Sequence, residues 1–184
     1  MFQGQYVRLR AFEPADVQSD ALFVNHPETA RLMYRGIPFP ATMEDEMQFI
    51  SSQSRLTRGE YQFAVETLSG EMVGRCGIAS VDWKNRCAEL NILIGHPFRQ
   101  KGYGRDALSL LCRFCFDQMN LHRLKVSVLS SNTGAVRCYL SCGFEQEGCL
   151  RQEVFRDGTY LDVLLMGRLN DHDSYTQERS VPHA

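Results

Sequence analysis

Three consecutive segments in the middle of the chain have the pattern of strands and are separated by short turns. Residues 61–67, 72–81 and 87–94 are rich in strand-forming residues, and residues 68–71 and 82–86 carry the glycine, serine, aspartate and asparagine typical of tight turns. Strands joined by connections this short run antiparallel. We therefore predict an antiparallel three-stranded meander, which rules out a regular strand–helix alternation in this part of the chain.

Helical and strand patterns on both sides of the meander complete the order of elements. The sequence predicts strands at residues 6–10, 124–129, 147–155 and 160–169, and helices at 14–25, from 42 to about 58, at 104–120 and at 133–142. The predicted fold class is mixed α/β (α+β). We expect one domain over residues 1–169 and a polar, disordered tail over residues 170–184.

Composition limits the class of protein further. The chain has 184 residues, 43% hydrophobic and 23% charged, which suits one globular domain with a proper core. A formal net charge of -2 gives no field that would attract nucleic acid or anionic lipid. No apolar run approaches the roughly 20 residues that cross a bilayer, and no secretory leader is recognisable. We therefore expect a cytoplasmic protein that binds neither nucleic acid nor membrane.

Seven cysteines are present, and four of them lie in predicted helices. Cys112 and Cys115 have the spacing of a metal or redox pair, but no second pair of Cys or His ligands accompanies them. No two histidines have ligand spacing either. We interpret the cysteines as buried thiols of the core and predict no metal site.

A glycine-rich segment, Arg99-Gln-Lys-Gly-Tyr-Gly104, lies between the meander and the next helix. Residues 102–107 fit the G-x-G-x-x-A pattern of dinucleotide-binding turns, so a nicotinamide-dependent oxidoreductase is one interpretation. Two observations count against it. Antiparallel strands precede the segment, and no acidic residue that could bind a ribose lies between Asp117 and Glu145.

The same segment is well suited to binding a diphosphate. Backbone N–H groups from Gln100 to Arg105 should point outward at the beginning of a helix, and the glycines allow phosphate oxygens to come close. Arg99, Lys101 and Arg105 add positive charge, which suits a diphosphate better than a single carboxylate. The alternative is an ordinary loop with a solvated basic face.

Two ordered motifs resemble those of the GNAT N-acetyltransferase superfamily. Residues 99–104 match its [RQ]-x-x-G-x-[GA] signature, and residues 132–144 match its N-x-x-[SA]-x-x-x-Y-x-x-x-G-F pattern. The resemblance extends over residues 5–169. The closing hairpin at 153–162 is most similar to the branch that holds ribosomal-protein N-terminal and spermidine acetyltransferases. Two positions depart from the family: Gln100, where members often carry glycine, and Ala135, where some carry serine.

The resemblance implies a GNAT fold, acetyl-CoA as the cofactor and a set of cofactor-binding residues. In this fold the central sheet is mostly antiparallel and flanked by helices, and a bulged fourth strand splays away from the fifth. The pantetheine arm would bind the backbone of Ile92, Leu93 and Ile94. The diphosphate would bind Arg99, Gln100, Lys101, Gly102, Tyr103, Gly104 and Arg105.

Three further residues receive roles from the resemblance, each with an alternative. Tyr139 would protonate the departing thiolate, or would be a buried structural tyrosine. Asn132 would bond the pantetheine, or would simply cap its helix. Glu89 would be the general base, or would be a surface carboxylate paired with Arg75 or Arg86; a chain of water molecules could replace a dedicated base.

The acceptor is the least determined part of the hypothesis. The resemblance implies direct transfer of acetyl to a primary amine in a ternary complex, with a protein N-terminus first and a polyamine second. An aminoglycoside or small metabolite, or a non-catalytic acyl-CoA-binding regulatory module, are the alternatives. The acidic residues 44–46 could attract a polycation or could complement a helix dipole. Assembly into a homo-oligomer is left open.

Overall fold

The computed structural model describes residues 2–33, 37–52 and 60–170. Its strands are β1 (Val7–Arg10), β2 (Tyr61–Thr67), β3 (Met72–Asp82), β4 (Cys87–Ile94), β5 (Arg123–Leu129), β6 (Glu145–Arg156) and β7 (Thr159–Leu169). Its helices are α1 (Asp16–Val24), α2 (Pro27–Met33), α3 (Met43–Ser52), α4 (Tyr103–Arg113) and α5 (Thr133–Ser141). Apart from Asn170, the tail expected at 170–184 lies outside the described residues, as does the predicted end of the second helix near residue 58.

The strands form one seven-stranded sheet in the order β1-β2-β3-β4-β5-β7-β6. Every neighbouring pair is antiparallel except β4 and β5, which are parallel. The predicted meander is β2-β3-β4, and the mixed α/β fold class with a mostly antiparallel sheet is confirmed.

Helix α4 connects β4 to β5 and packs its apolar side on the sheet. Ala107, Leu108 and Leu111 are fully buried there with the β-strand residues Val73 and Val126. The carboxylate of Asp106, in the first turn of α4, accepts hydrogen bonds from the amides of Tyr6 and Val7. The beginning of α4 is therefore fixed both to the core and to the edge strand β1.

The predicted helix at 104–120 is not uniform. It ends as an α-helix at Arg113 and continues as one wide π-helical turn, Phe114–Gln118. This turn places the Phe114 ring 5.5 Å from the rings of both Phe2 and Phe63. Aromatic packing accounts for the change, because the wider turn brings Phe114 into a three-ring cluster.

The N-terminal half differs from the sequence prediction in two places. The helix predicted at 14–25 ends at Val24, and Pro27 begins a separate helix, α2, that the sequence did not predict. Met43 and Met47, which helical spacing in α3 would place on one buried face with Ile50, are 51% and 55% exposed, whereas Ile50 and Glu46 are buried. The helix turns Glu46 inward because that carboxylate forms an ion pair with Arg75 of β3.

The splay between the fourth and fifth strands is also present. β4 and β5 pair only over the three residues from Cys87↔Arg123 to Glu89↔Lys125, and they separate after that point. The bulge that accompanies the splay is not in β4 itself. Its extra residue is Ala79 of β3, because Ile78 pairs with Leu90 and Ser80 with Glu89.

Candidate active site

The splayed strands enclose a cleft of about 230 Å³ that opens to solvent. Both strands and helix α5 contribute to its walls, and β2, β3 and the N-terminal helices close one side. The lining residues that matter below are Phe49, Arg75, Ile92, Ser127, Asn132 and Tyr139. The cleft therefore brings Tyr139 and Asn132 of the second motif to the unpaired edge of β4.

The backbone of β4 presents only alternate residues to the cleft. The amide of Gly95 bonds the carbonyl of Val73, which makes this a hydrogen-bonded pair of the antiparallel ladder. By alternation Leu93 also bonds β3, while the N–H and C=O groups of Ile92 and Ile94 point away from it, toward the opening. The predicted backbone role thus fits Ile92 and the Ile94 amide, and it does not fit Leu93, which is 5% exposed and packs in the core.

The glycine-rich segment forms a cradle of backbone amides beside the cleft. Gln100 and Gly102 both have positive φ angles, 62° and 86°. Among the described residues, none accepts a hydrogen bond from the amides of residues 100–105. A row of unpaired N–H groups at the beginning of an eleven-residue helix fits the diphosphate of an acyl-CoA. The positive φ at Gln100 also gives a physical reason for glycine at that position in relatives.

The side chain of Arg99, predicted to bind the diphosphate, has partners within the protein. Its guanidinium donates hydrogen bonds to the carbonyl of Ile94 (3.1 Å) and to Oγ1 of Thr29 (2.7 Å). Through these two hydrogen bonds Arg99 links helix α2 to the end of β4. Lys101 and Arg105 are exposed and supply the positive charge beside the amides.

Tyr139 lies on α5 with its ring packed edge-on against Phe144, at 5.6 Å between ring centroids. Burial raises the pKa of its hydroxyl well above the usual value, so the group is protonated at neutral pH. The side chain is only 6% exposed and lines the cleft, and no described residue hydrogen-bonds its hydroxyl. Buried tyrosine hydroxyls usually have a hydrogen-bond partner, so this one is available to a ligand in the cleft.

Asn132 caps helix α5, since its Oδ1 accepts a hydrogen bond from the amide of Ala135 at 3.1 Å. This is the capping alternative that the sequence left open. Asn132 also lines the cleft, so the cap does not exclude the pantetheine role.

Glu89 lies at the point where β4 and β5 separate. It pairs with Lys125 in the last rung of the parallel ladder, and its Oε1 accepts a hydrogen bond from the hydroxyl of Ser127 at 3.4 Å. The two arginines proposed as its partners bond elsewhere. Arg75 binds Asp20 and Glu46, and Arg86 binds Asn120. Glu89 is therefore held beside the cleft through Ser127, a lining residue.

The sequence did not identify a charged cluster on the acceptor side of the cleft. Arg75 lies between two carboxylates, Asp20 of α1 and Glu46 of α3, and its guanidinium carbon is 4.4 Å from the centroid of the Phe49 ring. Burial, opposed by the charge of Arg75, raises the pKa of Asp20 to about 7. The signal in the sequence was an arginine in the middle of an otherwise apolar strand.

Three further features bear on the class of protein. The described residues contain no group of three or more His, Cys, Asp or Glu side chains arranged to hold a metal ion. Within the same part of the chain, no helix is long and apolar enough to cross a membrane. All seven cysteines are free thiols.

A sheet that opens between parallel β4 and β5, with an amide cradle at the beginning of α4, defines the acyl-CoA N-acyltransferase class. The chain belongs to the acetyltransferase (GNAT) domain family, whose model matches residues 7–145. The family uses acetyl-CoA, and the chain is accordingly an acetyl-CoA-dependent N-acetyltransferase.

Individual relatives resemble nearly the whole chain. The spermidine N(1)-acetyltransferase of Vibrio cholerae is 29% identical over 159 residues, covering 86% of this chain and 90% of the relative. The uncharacterized N-acetyltransferase YokL of Bacillus subtilis is 24% identical, covering 89% and 90%. The crystal structure of the Vibrio cholerae spermidine N-acetyltransferase in complex with CoA and spermine superposes with a TM-score of 0.80, at 26% identity and with coverage of 89% and 95%.

Proposed function

We propose that this enzyme transfers acetyl from acetyl-CoA directly to a primary amine while both substrates are bound in the cleft. The observation that carries the proposal is the meeting of three features at one opening: the free edge of β4, the amide cradle and the unpartnered hydroxyl of Tyr139. Acetyl-CoA supplies the acetyl group as an activated thioester. The protein binds and orients the two substrates and transfers the protons between them and its own side chains.

The donor is held by backbone rather than by charged side chains. The groups of Ile92 and the amide of Ile94 bind the pantetheine as an added strand, and the amides of residues 100–105 bind the diphosphate. Lys101 and Arg105 attract its negative charge. This arrangement directs the thioester toward Tyr139 on α5, where the thiol leaves.

Tyr139 acts as the general acid. Its raised pKa keeps the proton on the hydroxyl until a thiolate forms nearby, and its packing against Phe144 fixes the ring. A hydroxyl that faces the cleft and has no partner among the described residues is ready to donate to the departing sulfur.

Glu89 acts as the general base that receives the proton of the attacking amine, directly or through one water molecule. Its carboxylate is next to Ser127 at the vertex of the cleft, within the region where the amine must approach the thioester.

Replacement of Glu89 by Gln tests this role. Glu89→Gln keeps the hydrogen bond from Ser127 and removes the proton acceptor, so kcat should fall about a hundredfold while the Kd of acetyl-CoA stays unchanged. The loss should shrink as pH is raised, since the amine then deprotonates without help. A wild-type kcat in Glu89→Gln at neutral pH would assign deprotonation to a water chain instead.

Two classes of acceptor have support from different sources. The spermidine acetyltransferase relatives favour a polyamine, and the similarity covers 86% of this chain. The protein N-terminus is favoured by the cation in the cleft wall, as argued below. An amine panel followed through thiol release decides between them, with spermidine, an N-terminal peptide and an aminoglycoside as the three arms.

The proposed function itself fails in two recognisable ways. Binding of acetyl-CoA without acetylation of any amine in the panel would leave only a binding module. A melting temperature that rises with NAD but not with acetyl-CoA would return the protein to the oxidoreductase class.

A further inference from the structure

The guanidinium of Arg75 has hydrogen-bond donors that no described residue uses. Its Nη1 makes both contacts to carboxylates, with Asp20 and with Glu46, the latter at 3.2 Å. In the part of the chain that the structure describes, no residue bonds Nε or Nη2. Neither nitrogen is among the fully buried atoms that lack a partner, and Arg75 lines the cleft. Nε and Nη2 of Arg75 can therefore donate hydrogen bonds to a ligand in the cleft.

The position of these donors is fixed. Asp20 is fully buried and belongs to α1, Glu46 belongs to α3, and the Phe49 ring stacks on the guanidinium at 4.4 Å. Contacts from two helices and an aromatic ring hold the planar group in one direction. Little side-chain entropy then remains to be lost when a ligand binds.

The chemistry of this wall differs from what a polyamine needs. A second ammonium of a polyamine would meet a guanidinium whose nearby carboxylates already bond it. Guanidinium N–H groups bind oxygen atoms. The cluster as a whole carries one positive and two acidic groups, and Asp20 is partly protonated near pH 7, so it has no excess positive charge for a full anion. A neutral carbonyl oxygen is the partner that satisfies the open donors.

We infer that Arg75 is a specificity-determining residue that donates hydrogen bonds to a carbonyl oxygen next to the acceptor amine. The preferred acceptor is then an α-amino amide, the chemistry of a peptide N-terminus, and not a simple alkylamine or polyamine. The inference rests on the proposed function, because it assigns the acceptor of the same cleft.

Arg75→Lys separates this role from a structural one, since it keeps a positive charge for Asp20 and Glu46 but loses the guanidinium fork. The probes are alaninamide and isopropylamine, which differ only in an amide group replacing a methyl, with spermidine as a third acceptor. For alaninamide we expect kcat/KM to fall at least about tenfold, as for loss of a hydrogen bond from a charged donor. For isopropylamine and spermidine it should change less than about threefold.

Comparing variant with wild type for each acceptor separately cancels the different basicities of the amines. Arg8→Lys is the matched control, because Arg8 pairs with a carboxylate, Glu66, outside the cleft. It should leave all three values unchanged. Arg75→Met, which removes the charge as well, should lower the melting temperature because it leaves two buried acids without their counter-ion.

Equal losses for alaninamide and isopropylamine in Arg75→Lys would overturn the inference and make Arg75 purely structural. Wild-type preference for spermidine over alaninamide would overturn it too. Both results differ from failure of the proposed function, in which the wild-type enzyme acetylates none of the amines.

Discussion

Tyr139→Phe is expected to lower kcat about a hundredfold or more and to leave the Kd of acetyl-CoA close to that of the wild type. The substitution removes only the hydroxyl, so the ring keeps its contact with Phe144. General acid catalysis by a positioned side chain contributes on this scale. Pre-steady-state thiol release, with the Kd measured separately, distinguishes a loss of chemistry from a loss of binding.

The pH dependence gives a second readout for the same variant. Because burial raises the pKa of the Tyr139 hydroxyl, the wild-type group stays protonated over about pH 6 to 9. The ratio of wild-type to variant kcat should therefore be constant across that range. Tyr61→Phe, at a partly buried tyrosine of β2, is the control and should not change kcat. An unchanged kcat in Tyr139→Phe would remove Tyr139 from the chemistry.

The parts of the fold that the sequence predicted well are those specified by local patterns. Strands β2 and β4 have the predicted bounds, Tyr61–Thr67 and Cys87–Ile94, because residue pattern and turn residues together fix where a strand begins and ends. The left-handed conformation at Gly102 likewise depends on a few neighbouring residues. The amide cradle could therefore be predicted from one hexapeptide.

The errors arose where a distant residue decides the outcome. Helical periodicity favoured burial of Met43 and Met47, but an arginine on another element draws Glu46 inward instead. The sequence likewise did not predict that the guanidinium of Arg99 bonds α2 and the end of β4. The local sequences of α3 and of the glycine-rich segment do not indicate these partners, because the partners on β3 and α2 lie far away in the sequence.

The acceptor side of the cleft could not be predicted from the sequence for the same reason. Asp20, Glu46 and Arg75 come from three separate elements, and only the packing of α1 and α3 on β3 brings them together. The donor side is built from backbone and short motifs, whereas the acceptor side is built from side chains far apart in sequence. Family resemblance consequently identifies the acetyl donor more readily than the amine.

Gly104→Glu is expected to weaken acetyl-CoA binding about a hundredfold, the largest effect we expect on affinity. A carboxylate in the first turn of α4 would lie among the unpaired amides and repel the diphosphate, and like charges in contact cost several kcal/mol, with about 1.4 kcal/mol for each tenfold in Kd. The first carbon of the side chain is not the cause, because a Cβ at residue 104 would be 3.4 Å from Cγ1 of Ile94 and 3.7 Å from Sγ of Cys138.

Those contacts make Gly104→Ala the matched control, since a methyl group fits at this position with at most a slight shift of Ile94. Gly104→Ala should bind CoA with an affinity within a few-fold of that of the wild type. Without ligand, both variants should have melting temperatures close to that of the wild type. Titration calorimetry with CoA at low and high salt distinguishes charge repulsion from misfolding as the cause of weaker binding. The loss of CoA affinity in Gly104→Glu should become smaller as salt screens the added charge, whereas a loss of affinity due to misfolding would not. Wild-type affinity in Gly104→Glu would mean that the diphosphate lies elsewhere, because a charge placed in an occupied cradle cannot be neutral in effect.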